Sequence, residues 1–561
     1  MSLKLFNISI PLSCLVSCLI LIGCTPTEKL HDENIITPNY GATIYGKVTC
    51  DGTPISGVSV SDGVNVVQTN ANGVYNIISE KRNGYVFIST PSGYVTPNHG
   101  TTTPSSWKSL NKPLDIPERV DFTLYQQPQD KYTMLFLGDI HLTSHKNINN
   151  FKATFIPEIN KYLTSLPSVP TFGVTLGDMT MEWYWYNEDK IGIEHYISNI
   201  NEVRGIQIYN TVGNHDNDMS LNSLLEFQQT GEDWECMRPY RNLQGPTCFS
   251  YNIGGTHYIS LDDVITTNTG SLTDKESRGN MRGITDTDMA WLKQDLSYIP
   301  AYTPIVVTTH IPLFNSAGNP SSGDANSVNY SVKDITEPFK RFGKVLFISA
   351  HTHIIYNTEN YDINGLKVTE WNNGALCGNF WNSSLKGINL CTDGSPGGYR
   401  IVKVENGKFN SIYKAIGKKE NYLFRTYDRN MMNLDISKMN DYTTGNIAGT
   451  NKDNWVYINI WDYKPSWTIK VKEDLEGSDK RLEVVQFDSY DPLYMLMYST
   501  RLVATKPQKK RTMFKVKASS PSSTLTIEVT DEFGNSRTEI MTRPKDFTLE
   551  QYINEQSDNI N

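Results

Sequence analysis

Five short runs carry side chains able to hold metal ions: Gly138-Asp139-Ile140-His141, Gly177-Asp178, Gly213-Asn214-His215-Asp216, His310, and His351-Thr352-His353. Carboxylates, imidazoles and an amide oxygen, with no thiolate in the set, suit hard to borderline divalent ions such as Mn, Fe or Zn. A carboxylate has two oxygens, so Asp178 is the natural bridge between two ions. A pair of ions about 3.5–4 Å apart can orient a phosphoryl group and stabilise both the attacking and the leaving oxygen of an in-line displacement. G-D and H-x-H are each common by chance, and the weight of the set comes from its order and its setting.

That setting is the same each time. An apolar run precedes every motif, at residues 132–137, 172–176, 206–212, 305–309 and 345–349. These runs are short and rich in β-branched and aromatic residues, which predicts buried strands rather than helices. In layered α/β folds, ligand sites gather where loops converge at the carboxyl ends of sheet strands. Sequence-distant motifs at five such ends therefore describe one place in space.

The ordered set resembles the calcineurin-like metallophosphoesterase family, over roughly residues 131–415. The resemblance implies a four-layer α/β/β/α sandwich and a two-metal site with a bridging hydroxide as nucleophile. It assigns Asp139, His141 and His353 to one ion and Asn214, His310 and His351 to the other, with Asp178 shared. It also makes His215 the general acid, protonating a leaving alkoxide or stabilising charge on phosphoryl oxygens. Two positions depart from the common pattern: Asp216 stands where many members have Glu, and Ala350 replaces the glycine before H-x-H. The Ser/Thr protein phosphatases of this superfamily continue G-D into an acidic residue and an arginine. Here the run is Gly177-Asp178-Met179-Thr180-Met181-Glu182, which looks more like the phosphodiesterase-type branch. Glu182 and Asp216 are the two candidates for orienting His215.

At 561 residues the chain is too long for one core and predicts three or four domains. A net charge of −9 provides no basic footprint for duplex nucleic acid, leaving small-molecule or lipid-borne phosphate esters as partners. Lys4, the apolar stretch 8–22 and the ending Leu21-Ile22-Gly23-Cys24 read as a secretory signal too short for a comfortable membrane span. The ending resembles a bacterial lipobox, which implies an exported protein anchored through lipidated Cys24, expected at the outer membrane on its periplasmic or surface face. The expected divisions are 1–24 signal peptide, 25–40 linker, 41–126 N-terminal β-sandwich, 131–411 catalytic domain, 412–550 C-terminal β domain and 551–561 tail. With the signal set aside, Cys50, Cys236, Cys248, Cys377 and Cys391 remain. In an oxidising compartment Cys236 with Cys248 and Cys377 with Cys391 are plausible pairs, and buried thiols throughout are the other reading.

In residues 41–125, alternating apolar residues broken by D-G, S-G and N-G turns predict tight hairpins, and the segment looks like a carboxypeptidase-regulatory or transthyretin-type sandwich. Strand patterns from about 412 to 550 resemble the all-β C-terminal domain of the same exported three-domain group. Within that segment Gln508-Lys509-Lys510-Arg511 reads as a solvated basic loop. Aromatic-rich loops follow the metal motifs, and Trp183, Trp381, Asp393 and Tyr399 are candidates for a substrate-binding rim. The expectation is a metal-dependent hydrolase of phosphodiesters or phosphomonoesters. A nucleotide-sugar pyrophosphatase or phospholipid-headgroup hydrolase is the alternative within catalysis, and a non-catalytic lipoprotein gripping a glycan or protein through its β domains is the alternative outside it.

Overall fold

The computed structural model describes residues 36–166, 168–218, 231–268, 278–321, 330–381, 388–434, 452–475, 478–498 and 507–557. The expected signal segment with Cys24, most of the linker and the end of the tail lie outside the described residues. Residues from Pro38 onward belong to one unit.

Two sheets face each other at the centre. In the first, strands β1 (Lys131–Leu137), β2 (Thr171–Leu176) and β3 (Gln207–Thr211) run parallel, and β10 (Gly398–Glu405) and β11 (Lys408–Ala415) close the other side in antiparallel pairing, in the order β3-β2-β1-β10-β11. The second contains β4 (Phe249–Ile253), β5 (Thr256–Ser260), β6 (Ile305–Thr308), β7 (Lys344–Ser349), β8 (Tyr356–Ile363) and β9 (Leu366–Asn372), in the order β4-β5-β6-β7-β9-β8. The period-2 alternation of β1 sorts its side chains. Met134 and Phe136 enter the core shared with Ile259, Val307 and Phe347 of the second sheet. Leu135 and Leu137 turn the other way, onto Phe151, Phe155 and Ile159 of helix α1 (His145–Thr164). Ser144 caps that helix, accepting the Asn147 N–H at 3.3 Å. Helix α2 (Ile193–Ile200) covers the same face, while α3 (Asp286–Ser297) and α4 (Val332–Thr336) pack with the second sheet. The result is an α/β/β/α sandwich, flanked by sheet-rich domains on both sides in the chain.

The N-terminal domain folds around Ile44, Val48, Val60, Ile88, Phe122 and Leu124. It docks on the catalytic domain partly through the Trp291 indole N–H, which donates to Ser61 Oγ at 3.1 Å. The C-terminal domain sets two four-stranded antiparallel sheets against each other over Val456, Ile458, Val471 and Ile527. Two buried ion pairs clamp it to the centre. Arg400 on β10 is wholly buried and bonds Asp462 bidentately at 2.7 and 3.0 Å, with two further donors on Asn373 Oδ1 and Ser411 Oγ, both at 2.7 Å. Lys510 reaches Asp393 at 2.7 Å. Lys510 is therefore buried, not part of a solvated loop as its basic neighbours suggested.

Neither expected cysteine pair forms. Cys50, Cys236, Cys248, Cys377 and Cys391 are all buried and none is in a disulfide. Cys248 Sγ accepts the Asp262 N–H at 3.2 Å, and Cys391 Sγ points at the carbonyls of Ala375 and Pro396, 3.7 and 3.8 Å away. Free cysteine is among the most buried residue types, and burial of all five agrees with the reading of buried thiols throughout.

Removing one partner of a buried bidentate pair leaves a charge that is neither solvated nor neutralised. Asp462→Ala is expected to cost about 3–5 kcal/mol, read as a lowered midpoint in urea denaturation. A cost below about 1 kcal/mol, the range of exposed pairs, would show that the clamp does not hold the domains.

Candidate metal centre

The loops after β1, β2, β3, β6 and β7 meet at one edge of the sandwich. They meet closely because glycines remove the side chains that would separate them. A Cβ on Gly213 would lie 2.2 Å from the Asp178 amide nitrogen, and one on Gly177, whose φ is +87°, would lie 2.5 Å from His310 Nδ1. Tight convergence also bends the ligand residues themselves: Asp139, His141, Asp178, His351 and His353 have φ of 49°, 46°, 55°, 67° and 54°. Such left-handed, non-glycine conformations persist only where surrounding structure over-determines them, and they cluster at functional sites.

All seven residues expected as ligands come together in two corners that share Asp178. In the first, His141 Nε2 is 3.1 Å from His353 Nε2 and 3.5 Å from Asp178 Oδ2, and His353 Nε2 is 3.6 Å from Asp139 Oδ1. In the second, Asn214 Oδ1 is 2.9 Å from both His310 Nε2 and His351 Nδ1, and His310 Nε2 is 3.2 Å from Asp178 Oδ2. The far ring nitrogens settle the tautomers. Nδ1–H of His141, His310 and His353 donates to the carbonyls of Thr180, Leu176 and Gly378 at 3.2, 2.7 and 3.1 Å, which turns each Nε2 toward the cluster. Two inward lone pairs 3.1 Å apart repel unless a cation lies between them. Asp139 Oδ2 is buried and makes no hydrogen bond, an orphaned acceptor in the same corner. The residues present thus fit divalent metal ions. Burial opposes ionisation of Asp178, yet the neighbouring imidazoles of His310, His215 and His141 hold its carboxyl well below the usual range.

His215 stands at the rim of this cluster. Its Nδ1 is 2.7 Å from Glu182 Oε2, and Glu182 is almost fully buried. Burial lowers the affinity of the imidazole for a proton, but the charges of Asp178 and Glu182 more than offset this and push its pKa up to about 9. Bound cations would act in the opposite direction. Of the two candidates for orienting His215, Glu182 does so. Asp216 instead ties two motifs together: its Oδ1 accepts the Met179 and Thr180 N–H groups at 2.9 and 3.1 Å, and its Oδ2 accepts Gly213 N–H at 3.0 Å.

The rim differs from the sequence expectation. Trp183 is there, 42% exposed and edge-on to His215 at 5.6 Å. Trp381, Asp393 and Tyr399 are interior residues. The Trp381 indole donates to Ile140 O at 2.7 Å and packs on Phe151 of α1. Tyr399 lies on the helix-facing side of β10, against Phe155, with its hydroxyl on Glu158 at 3.1 Å. Asp393 is consumed by Lys510 and by Ser395 N–H and Oγ, both at 2.9 Å. Two further residues, neither among the expected site residues, stand near the centre. Phe380 lays its ring 4.8 Å from both His141 and His353. Asp263 accepts the His310 N–H at 3.0 Å and holds that loop in place. The only sequence signal for Asp263 is an acidic residue just past a strand end.

Residues 132–354 match the family model described as calcineurin-like phosphoesterase, 42–127 the N-terminal model of calcineurin-like phosphoesterase, and 370–536 the C-terminal one. No curated protein matches the chain significantly. Among solved structures, PhoD is similar at 10% identity and TM-score 0.33, covering 72% of this chain and 83% of its own. GAP50, the anchor in the inner membrane complex of Plasmodium, gives 15%, 0.27, 51% and 84%, respectively. The purple acid phosphatase PPD1 from yellow lupin seeds gives 11%, 0.32, 64% and 67%. Similarity at this level says nothing about substrate.

If Glu182 orients and charges His215 without holding metal, Glu182→Gln should leave metal content unchanged while kcat falls by about 10²–10⁴, the usual contribution of a positioned acid. Parallel loss of bound metal would make Glu182 a part of the ion site instead.

Proposed function

Since the chain belongs to the calcineurin-like phosphoesterase family, carrying its N-terminal, central and C-terminal domains in that order, we propose that it hydrolyses small phosphate esters, monoesters or diesters, at a two-ion centre of Mn, Fe or Zn. Metal-dependent phosphoester hydrolysis is the activity of the family, and the two-corner cluster around Asp178 Oδ2 is the observation that supports the two-ion form of it. Divalent ions held there supply Lewis-acid polarisation of a phosphoryl oxygen and acidify water.

The chain's own residues account for the remaining steps. Asp139, His141 and His353 would hold one ion, Asn214, His310 and His351 the other, and Asp178 both. With Nδ1 occupied by Glu182, His215 has only its Nε2 available to substrate. A proton at that atom can pass to the leaving alkoxide, and the buried Glu182 carboxylate compensates the imidazolium before transfer, as a buried acid does in a catalytic triad. Trp183 beside His215 offers a flat apolar face where the leaving group would lie. The loop after Asp178 carries no arginine, so a guanidinium grip on phosphate from that segment is absent, which favours the phosphodiesterase-like branch over protein phosphatases. An inert, purely adhesive protein would leave the inward-facing imidazoles and the strained ligand backbone without a purpose.

Export and anchoring complete the reading. The charged start, the apolar stretch 8–22 and Gly23-Cys24 support a lipid-anchored enzyme whose site lies outside the cytoplasm, at the outer membrane.

Chelation of the purified protein should abolish hydrolysis of nitrophenyl phosphate esters, and Mn or Zn should restore it. Full activity in the chelated, metal-free protein would sink the proposal. For location, Cys24→Ser should move the protein from the membrane fraction to the soluble one; a wild-type protein already soluble would exclude the anchor.

A further inference from the structure

The loop after β9 delivers one more donor to the first corner. Leu376 N–H donates to Gly138 O at 2.8 Å and Cys377 N–H to Asp139 O at 3.2 Å, so the loop lies alongside the Asp139 motif. Trp381 closes it, with its amide on Cys377 O at 2.9 Å and its indole on Ile140 O at 2.7 Å. Cys377 is fully buried. Its Sγ and one ring nitrogen each of His141 and His353 all lie within 4.8 Å of one another, a grouping able to hold a metal ion. The thiol donates to Gly378 O at 3.5 Å, a carbonyl that also accepts His353 Nδ1–H at 3.1 Å, and its sulfur takes a backbone hydrogen bond from Phe380. Independently of the thiol, Asp139 Oδ2 in this corner is buried and without a hydrogen bond.

We propose that Cys377 is a thiolate ligand of the ion in the first corner, joining Asp139, His141, His353 and the shared Asp178. The inference rests on the two-ion reading and widens the difference between the two positions, which already have Asp139 in one and Asn214 in the other. Sulfur makes the first corner softer, favouring Zn or Fe, while the second, built from Asn214, His310, His351 and Asp178, contains no sulfur donor. Ligation is a simple exchange: the S–H bond breaks as the metal–sulfur bond forms, the proton leaves to solvent, and no electron changes hands.

Cobalt(II) reports this directly, because thiolate ligation adds an intense near-ultraviolet sulfur-to-cobalt charge-transfer band that nitrogen and oxygen ligands do not produce. The full chain, stripped and reloaded with two equivalents of cobalt, should show that band. Cys377→Ser, with cobalt content verified by elemental analysis, should lose it, and Cys391→Ser should keep it. Should the serine variant fail to fold, X-ray absorption of the zinc-loaded wild-type protein decides, with a sulfur at about 2.3 Å expected. Bound cobalt without the band, or zinc fitted by nitrogen and oxygen alone, would overturn the role of Cys377 and leave the two-ion centre standing. Failure to bind cobalt or zinc at all would overturn both.

Discussion

The centre depends on keeping one carboxylate, Asp178, charged and out of water among histidines from different strands. Taking an ion from water into the interior costs several kcal/mol after relaxation. Here the compensation is shared: Oδ1 accepts the His215 N–H at 2.9 Å, and Oδ2 faces His141 and His310 at 3.5 and 3.2 Å. Each neighbour must then be held by something else, which is the role of the surrounding carbonyls and carboxylates. Thr180 O, Leu176 O and Gly378 O fix three rings, Asp263 holds the His310 backbone, and Asp216 ties the loop bearing Asp178 to the loop bearing Asn214. The strained backbone of five ligand residues is the visible cost of this convergence.

Rigid sheets are what sustain that strain. β1 is buried on both faces, by the second sheet and by α1, so its carboxyl end cannot shift without opening two cores. The flanking domains extend the same constraint. Arg400 follows Tyr399 on β10, beside β1, and its ion pair to Asp462 fastens the C-terminal domain to the sheet that carries Asp139. Lys510 does the same for the turn at Asp393, and the Asp393-Gly394-Ser395 turn leads into β10. The domains outside the catalytic sandwich thus contribute to the stiffness of the site without contributing a ligand.

The ligand set was legible in the sequence because metal chemistry restricts residue types and strand ends restrict location. The rim was not, because aromatic residues serve cores as readily as surfaces. Alternation along β10 does contain the answer for Tyr399: it shares a face with Ile401, and both belong to the core beneath α1. Asp393 looked like a loop carboxylate because its partner lies 117 residues away, in a basic run that seemed solvated. No local pattern encodes such a pair. The choice between Glu182 and Asp216 was equally closed to sequence, since both lie near motif residues and only the side-chain direction separates them.

The same reasoning explains why the thiol stayed hidden. Read as a list of motifs, the centre is a set of histidines, carboxylates and an amide, and Cys377 falls outside it, in a segment whose glycines and aromatics suggest a packed turn. Its place is dictated by backbone pairing of residues 376–377 with the Asp139 loop, a contact between chain segments more than two hundred residues apart. The adjoining Phe380 and Trp381 hold the same loop in place, the first covering His141 and His353 and the second bonding Ile140. The two corners of the site then differ through a loop the motifs do not reach, as well as through the motif residues Asp139 and Asn214. Metal preference in this fold can therefore be altered without touching any of the seven ligand positions.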